Sequence, residues 1–171
     1  MSGIDDLEYR NFRDIGEVRS AWPIEAAGYP EDEAASLDGM LYRHTNAPHL
    51  FFGAFTSNGS IAGYIMSTQS APPLVTHESM STHDPQGTTA CVHSVCVAPE
   101  WQRKGLATKL LNLYTESIRE YNRTADVKIS RLALISHKYL LPLYEGAGYR
   151  LIGVSSVEHG SELWYDCVLD M

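Results

Sequence analysis

This sequence has no apolar run approaching the roughly 18 residues that a membrane span requires. Its first residues, Met1 to Glu8, are acidic and offer no apolar core for a secretory leader. The expectation is therefore no membrane association and no secretion. Cysteine is scarce: Cys91, Cys96 and Cys167 are an odd number, too few for a disulfide scaffold, and they suit a reducing compartment such as the cytoplasm. Basic side chains are in deficit, 13 Lys and Arg against 21 Asp and Glu, for a formal net charge of −8. Such a chain repels nucleic-acid phosphates and attracts cations such as amines. Neither a Gly-Lys-Ser/Thr phosphate loop nor a Gly-x-Gly-x-x-Gly turn is present, which argues against nucleotide hydrolysis and dinucleotide redox chemistry. Cys91, His93 and Cys96 are the nearest approach to a metal set. Strand alternation would send Cys96 to the opposite face from Cys91 and His93, and no Cys-x-x-Cys pair exists, so no metal is expected.

What remains is an ordinary globular composition, 44% hydrophobic and 20% charged, over 171 residues. That is enough for one core, so a single domain covering residues 1–171 is expected. Leu7 to Phe12 reads as a first strand. Asp14 then caps a helix with Ile15, Val18 and Trp22 on one face, which Pro23 should kink or end. Pro30, followed by Glu31, Asp32 and Glu33, reads as a second helix start. Leu50 to Phe55 and Ile61 to Thr68 form a hairpin around Asn58-Gly59. Ser70 to Thr88, with Pro72, Pro73 and Pro85, has no period and reads as a long functional loop, a lid over a small pocket. Ala90 to Val97 is a buried strand. Leu106, Leu110, Tyr114 and Ile118 recur every fourth residue and define a helix over Leu106 to Tyr121. Strand Arg131 to Ile135, short helix Leu140 to Glu145, and strands Tyr149 to Val154 and Leu163 to Leu169 complete an α/β (α+β) order, a sheet with helices on both faces.

The chemistry concentrates between Val95 and Thr108. There a buried strand enters a tight loop that opens the long helix. The amides of Arg103 to Thr108 have no intrahelical acceptor, and the helix dipole adds positive potential, so the loop is suited to phosphate oxygens. Gly105 lets a phosphate approach, and Arg103 and Lys104 add charge. A plain strand-to-helix turn with solvated basic residues fits the same composition.

Gln102-Arg103-Lys104-Gly105-Leu106-Ala107 resembles the Gln/Arg-x-x-Gly-x-Gly/Ala element of the GNAT acetyltransferase superfamily, which holds the pyrophosphate of acetyl-CoA. Glu78 to His83, Val92 to Val97 and Leu141 to Tyr149 resemble segments of its serotonin (arylalkylamine) N-acetyltransferase branch. The resemblance implies the GNAT fold, with a central mixed twisted β-sheet. It also implies transfer of acetyl from acetyl-CoA to the primary amine of a small arylalkylamine or polyamine. Gln102, Arg103, Lys104, Gly105, Leu106, Ala107 and Thr108 would then hold the pyrophosphate. Val95, Cys96 and Val97 would pair with the pantetheine arm, and a strand bulge would free the Val95 N–H to polarise the thioester. Two histidines spaced by one residue relay the proton in that branch. Here His93 matches the second and Cys91 replaces the first, so either the relay is reduced to one histidine or another group, Glu25 or His83, shares the work. Tyr144 would protonate the departing thiolate, and Ile135 and Glu25 would face the amine. Trp22, Tyr29 and the Pro72-Pro73 loop are vaguer candidates for the amine pocket. An amine with a pKa of about 10.4 is only about one part in a thousand free base at neutrality, so a proton acceptor is needed. The alternatives are an acetyltransferase for protein or peptide amines and a non-catalytic acyl-CoA sensor. No partner macromolecule is implied, and a monomer is expected.

Overall fold

A computed structural model of the chain describes residues 2–171. Its strands are β1 (Glu8–Asn11), β2 (Phe51–Phe55), β3 (Ile61–Ser70), β4 (Thr89–Val97), β5 (Arg131–Ser136), β6 (Arg150–Val154) and β7 (Tyr165–Asp170). They form one seven-stranded sheet in the order β1-β2-β3-β4-β5-β7-β6. Every pairing is antiparallel except β4 with β5. The α-helices are α1 (Ile15–Gly28), α2 (Leu37–Asn46), α3 (Leu106–Asn122) and α4 (Leu141–Gly146).

Alternation along the strands divides the core between two faces. On one face, Leu106, Leu110, Leu111, Tyr114 and Ile118 of α3 and Leu141 and Tyr144 of α4 pack with Ile65, Val92, Leu132 and Leu134. On the other, Val18 and Ala21 of α1 and Met40 of α2 pack with Phe51, Phe55, Tyr64 and Met66. Gly63 sets how closely α3 lies on the sheet. A Cβ there would stand 2.8 Å from the Cys96 carbonyl and 2.9 Å from Leu110 Cδ1.

The capping and hairpin expectations hold: Asp14 accepts the Glu17 N–H at 3.0 Å, and Gly59 takes φ +86° in the β2–β3 turn. Two helix boundaries differ from expectation. Pro23 does not end α1, which runs on to Gly28. It lies on the exposed side of the helix, where water can serve the carbonyl that the ring leaves unpaired. No helix starts at Pro30. Its carbonyl accepts from Glu33 and Ala34, both at 2.9 Å, and the next amide, Ala35, is diverted to the Glu25 carboxylate at 2.9 Å. The chain re-enters helix only at Leu37, behind Ser36, whose hydroxyl accepts the Gly39 N–H at 3.0 Å.

Strand β4 is irregular where the chemistry was expected. Its register against β3 steps from Ser67↔Val92 to Met66↔Ser94 and leaves His93 as the extra residue of a bulge. Simple alternation had placed Cys91, His93, Val95 and Val97 on one face. The bulge separates them, because Val95 and Val97 pair with Ile65 and Gly63, whereas Cys91 pairs with Thr68. It also brings Cys96, paired with Tyr64, to the face of Cys91, contrary to the alternation argument used against a metal. The three cysteines are free, and no group of three or more His, Cys, Asp and Glu converges among the described residues. β4 pairs with β5 only from Thr89 to Cys91, against Arg131 to Ala133. Beyond that point the strands part.

Candidate active site

The parting of β4 and β5 opens a cavity of about 850 Å³. Val92 to Val97 line one wall, Leu134 to Ser136 another, and Leu143 and Tyr144 of α4 a third. Segments between α1 and α2 and the long loop after β3, through Val75, His77, Met80 and Ser81, close over it. Pro72 and Pro73 of that loop are exposed and do not line the cavity, nor does Trp22, which is exposed at 39%.

At the far end of β4 the chain makes a 3-10 turn, Pro99–Trp101, and then bends through two left-handed residues, Arg103 (φ 61°) and Gly105 (φ 82°), into α3. A left-handed arginine is strained, whereas glycine is not. The bend turns successive amides outward, and none of the N–H groups of residues 103–108 meets an acceptor among the described residues. Gln102 and Ala107 line the cavity, and Arg103, Lys104, Gly105 and Thr108 are exposed beside it. The Leu106 side chain is buried in the core, so it can offer only its amide.

Val95 sits in the splay. Its N–H donates to the Tyr29 hydroxyl at 3.2 Å, and the same hydroxyl donates to the Val95 carbonyl at 3.3 Å. The main-chain edge that β5 would otherwise pair with is held by one side chain. Beside it, His93 Nε2 lies 2.7 Å from Thr68 Oγ1. Burial, reinforced by the Arg43 charge, holds the His93 ring well below the ordinary imidazole range. The ring is therefore neutral at physiological pH. Tyr144 is 7% exposed, packs edge-to-face on Tyr149 at 5.9 Å, and its hydroxyl has no hydrogen-bond partner among the described residues. Burial raises its phenol well above the ordinary value, so it stays protonated.

Glu25 is 1% exposed. It accepts from Tyr64 Oη at 2.6 Å and the Ala35 N–H at 2.9 Å, with the Cys96 thiol 3.7 Å away. Burial and that carboxylate push the Cys96 thiol up to about 12. Burial likewise lifts Cys91 to about 11. Neither thiol is a nucleophile at neutral pH. Ile135 lines the cavity, but His83 does not. Its Nδ1 accepts the Gln69 N–H at 3.0 Å, outside the cavity wall.

Two groups of cavity residues escaped the sequence reading. Arg43 of α2 reaches the wall from behind. Nearer the mouth, His137 Nε2 meets Glu33 Oε1 at 2.8 Å and His137 Nδ1 lies 3.1 Å from Glu162 Oε2. The same ring stacks on Trp164 at 4.1 Å and on Tyr139 at 5.5 Å. These residues come from separate segments and carry no shared local pattern. Only tertiary structure assembles them.

Residues 29–164 match the acetyltransferase (GNAT) domain family. Serotonin N-acetyltransferase of Mesocricetus auratus is 27% identical over 125 residues, covering 73% of this chain and 58% of that protein. The similarity thus spans little more than half of that relative. Among solved structures, the GphF GNAT-like decarboxylase in complex with isobutyryl-CoA superposes with a TM-score of 0.79 at 18% identity, covering 95% of this chain and 98% of its own. The NatC complex bound to Gag peptide and CoA contains a chain that superposes at 0.71 and 14% identity, covering 97% and 99%. At those identities the structural likeness is one of fold. The family match takes in the β4 bulge, the amide-lined turn and all of the cavity lining except Glu25 and Gly28, and the chain belongs to the GNAT acetyltransferase family.

Proposed function

We propose that the chain transfers acetyl from acetyl-CoA directly to the primary amine of a small molecule of the arylalkylamine or polyamine type. The observation that carries this reading is the convergence on one cavity of the Val95 main-chain edge, the neutral His93 ring and the protonated Tyr144 hydroxyl. The open amides of residues 103–108 lie next to it. The residues present fit the coenzyme: the amides and Arg103 and Lys104 suit a pyrophosphate, and the edge from Val95 to Val97 suits the amides of a pantetheine arm.

In this reading the Val95 N–H polarises the thioester carbonyl and holds the oxyanion after the amine attacks. The new C–N bond leaves an ammonium on the tetrahedral adduct, and His93 takes its proton through water. A ring held well below its usual range cannot strip a free ammonium of pKa about 10.4, but it can accept from this far more acidic adduct. Collapse breaks the C–S bond, and Tyr144 delivers its proton to the thiolate. Glu25, held by Tyr64 and the Ala35 N–H, lines the cavity and would face the amine. Glu33 and Glu162, with Trp164 and Tyr139, make an acidic, aromatic mouth suited to an arylalkyl cation.

The chain acts, in this proposal, as a single domain over residues 1–171, a cytoplasmic monomer that needs no metal, nucleic acid or membrane. No helix among the described residues is long and apolar enough to cross a membrane. A thiol-release assay with acetyl-CoA and an amine panel tests the proposal. Amine-dependent CoA release supports it. Coenzyme binding without release from any amine would favour a sensor, and release with peptide N-termini alone would favour a protein acetyltransferase.

A further inference from the structure

Arg43 is a charged side chain without an ionic partner in the wall of the reaction cavity. It lines the same space as His93, Glu25 and Ser94. One guanidinium nitrogen donates to the Met80 carbonyl at 2.8 Å, and a second stands 4.0 Å from the Met66 sulfur. No carboxylate lies within 4.0 Å of it among the described residues, although other arginines of this chain, Arg10 and Arg131 for example, have one. Glu25 reaches it only as a field, with its oxygens beyond salt-bridge distance and turned to Tyr64 and the Ala35 N–H. Arg43 is half-buried, burial lowers its guanidinium from its ordinary value, and its charge bears on His93. A guanidinium has five N–H donors, and here only two are directed at protein atoms. The donors left over are available to an anion that enters the cavity.

We propose that Arg43 is an anion-binding residue of the reaction cavity and that the molecule beside His93 carries a carboxylate. This inference rests on the acetyl-transfer reading of the cavity and narrows it. The best acceptor is then an arylalkylamine bearing a carboxylate, with its ammonium toward the Glu25 side and its carboxylate on Arg43, and a polyamine is disfavoured. The same chemistry has a second source, a carboxylate at the end of the acyl chain of the thioester.

The test has three arms, each run on the wild type, Arg43→Gln and Arg43→Lys, with acetyl-CoA binding to each as the control for folding. The first compares CoA release with phenylalanine and with 2-phenylethylamine, which differ by the carboxylate. The second compares binding of malonyl-CoA and acetyl-CoA. The third titrates 3-phenylpropionate and 3-phenylpropan-1-ol into the CoA-loaded protein and needs no turnover. The wild type should prefer the carboxylate-bearing member by about tenfold or more in the third arm and in one of the first two. The arm that responds identifies the source. Arg43→Gln should remove the preference, and Arg43→Lys should keep part of it. A merely structural Arg43 would lower both members of each pair together, which would overturn the inference, as would equal wild-type binding of phenylpropionate and phenylpropanol. Arg43-dependent phenylpropionate binding without acetylation of any amine would leave this site standing while the acetyl-transfer reading fell.

Discussion

The hydroxyl of Tyr29 lies 3.2 Å from the main-chain nitrogen of Val95 and 3.3 Å from its carbonyl oxygen, so one side chain satisfies both groups at the point where β4 leaves β5. These are the groups that a pantetheine amide and a thioester would use, and the hydroxyl competes with them. Tyr29→Phe removes the competitor. Acetyl-CoA should then bind about fivefold tighter, which corresponds to roughly 1 kcal/mol for one hydrogen bond. The free protein, losing both contacts of the hydroxyl, should melt at least about 2–4 °C lower. Calorimetric titration and thermal melting measure the pair. Weaker coenzyme binding in the variant would show that Tyr29 supports the ligand.

Tyr144→Phe tests the acid. The phenol is raised by burial and unpartnered, so its loss removes a proton donor without breaking any internal hydrogen bond. The rate constant for acetyl transfer should fall about 10²-fold or more, with acetyl-CoA affinity nearly unchanged. Single-turnover kinetics separates the two. A large affinity loss with an unchanged rate constant removes the acid role.

His93→Ala tests the base. Wild-type kcat/KM should climb about tenfold per pH unit toward the amine pKa of about 10.4, because only free amine attacks. Its acid limb, set by His93, should fall well below pH 6.5, since burial depresses the ring. Because His93 acts only after free amine has attacked, the variant should lose activity by the same factor at every pH where the ring is neutral, and the difference should close below the ring's own range. A loss that shrinks steadily as the pH approaches about 10.4 contradicts the assignment.

Burial also lowers His44, His49 and His83. In the unfolded chain each imidazole takes a proton below about pH 6.5, whereas the folded protein resists until lower pH. The unfolded state thus binds more protons, and stability falls as pH drops from about 6.5 toward the folded values. His44, which is buried, contributes a slope of up to about 1.4 kcal/mol per pH unit in that window, and His93, lowered further, acts in the same sense. Melting temperatures at pH 7.5, 6.5 and 5.5 should be flat over the first interval and drop over the second. A drop confined to pH below 4.5 would assign acid lability to the carboxylates instead.

How much of this was legible in the chain depended on whether the signal was local. The α3 periodicity, the Asp14 cap and the Asn58-Gly59 turn are neighbour effects, and they survive intact. So does the amide-bearing turn, where Gly105 occupies the left-handed position that glycine favours. The turn at Pro30 was misread because the Ala35 amide is taken by Glu25, ten residues away in the chain. The faces of β4 were misread because a bulge resets alternation at His93, and no residue type announces a bulge. His93, Tyr144, Glu25 and Ile135 do converge, but Arg43 and the Glu33–His137–Glu162 cluster come from segments whose proximity is set only by the sheet order.

The most direct measurement is a crystal structure with acetyl-CoA bound. Pyrophosphate oxygens should lie within hydrogen-bonding distance of the amides of residues 103–108. The thioester oxygen should lie on the Val95 N–H with the Tyr29 hydroxyl withdrawn, and the sulfur should sit beside Tyr144. A coenzyme bound elsewhere, with that turn empty and Tyr29 still on Val95, would contradict the proposed site.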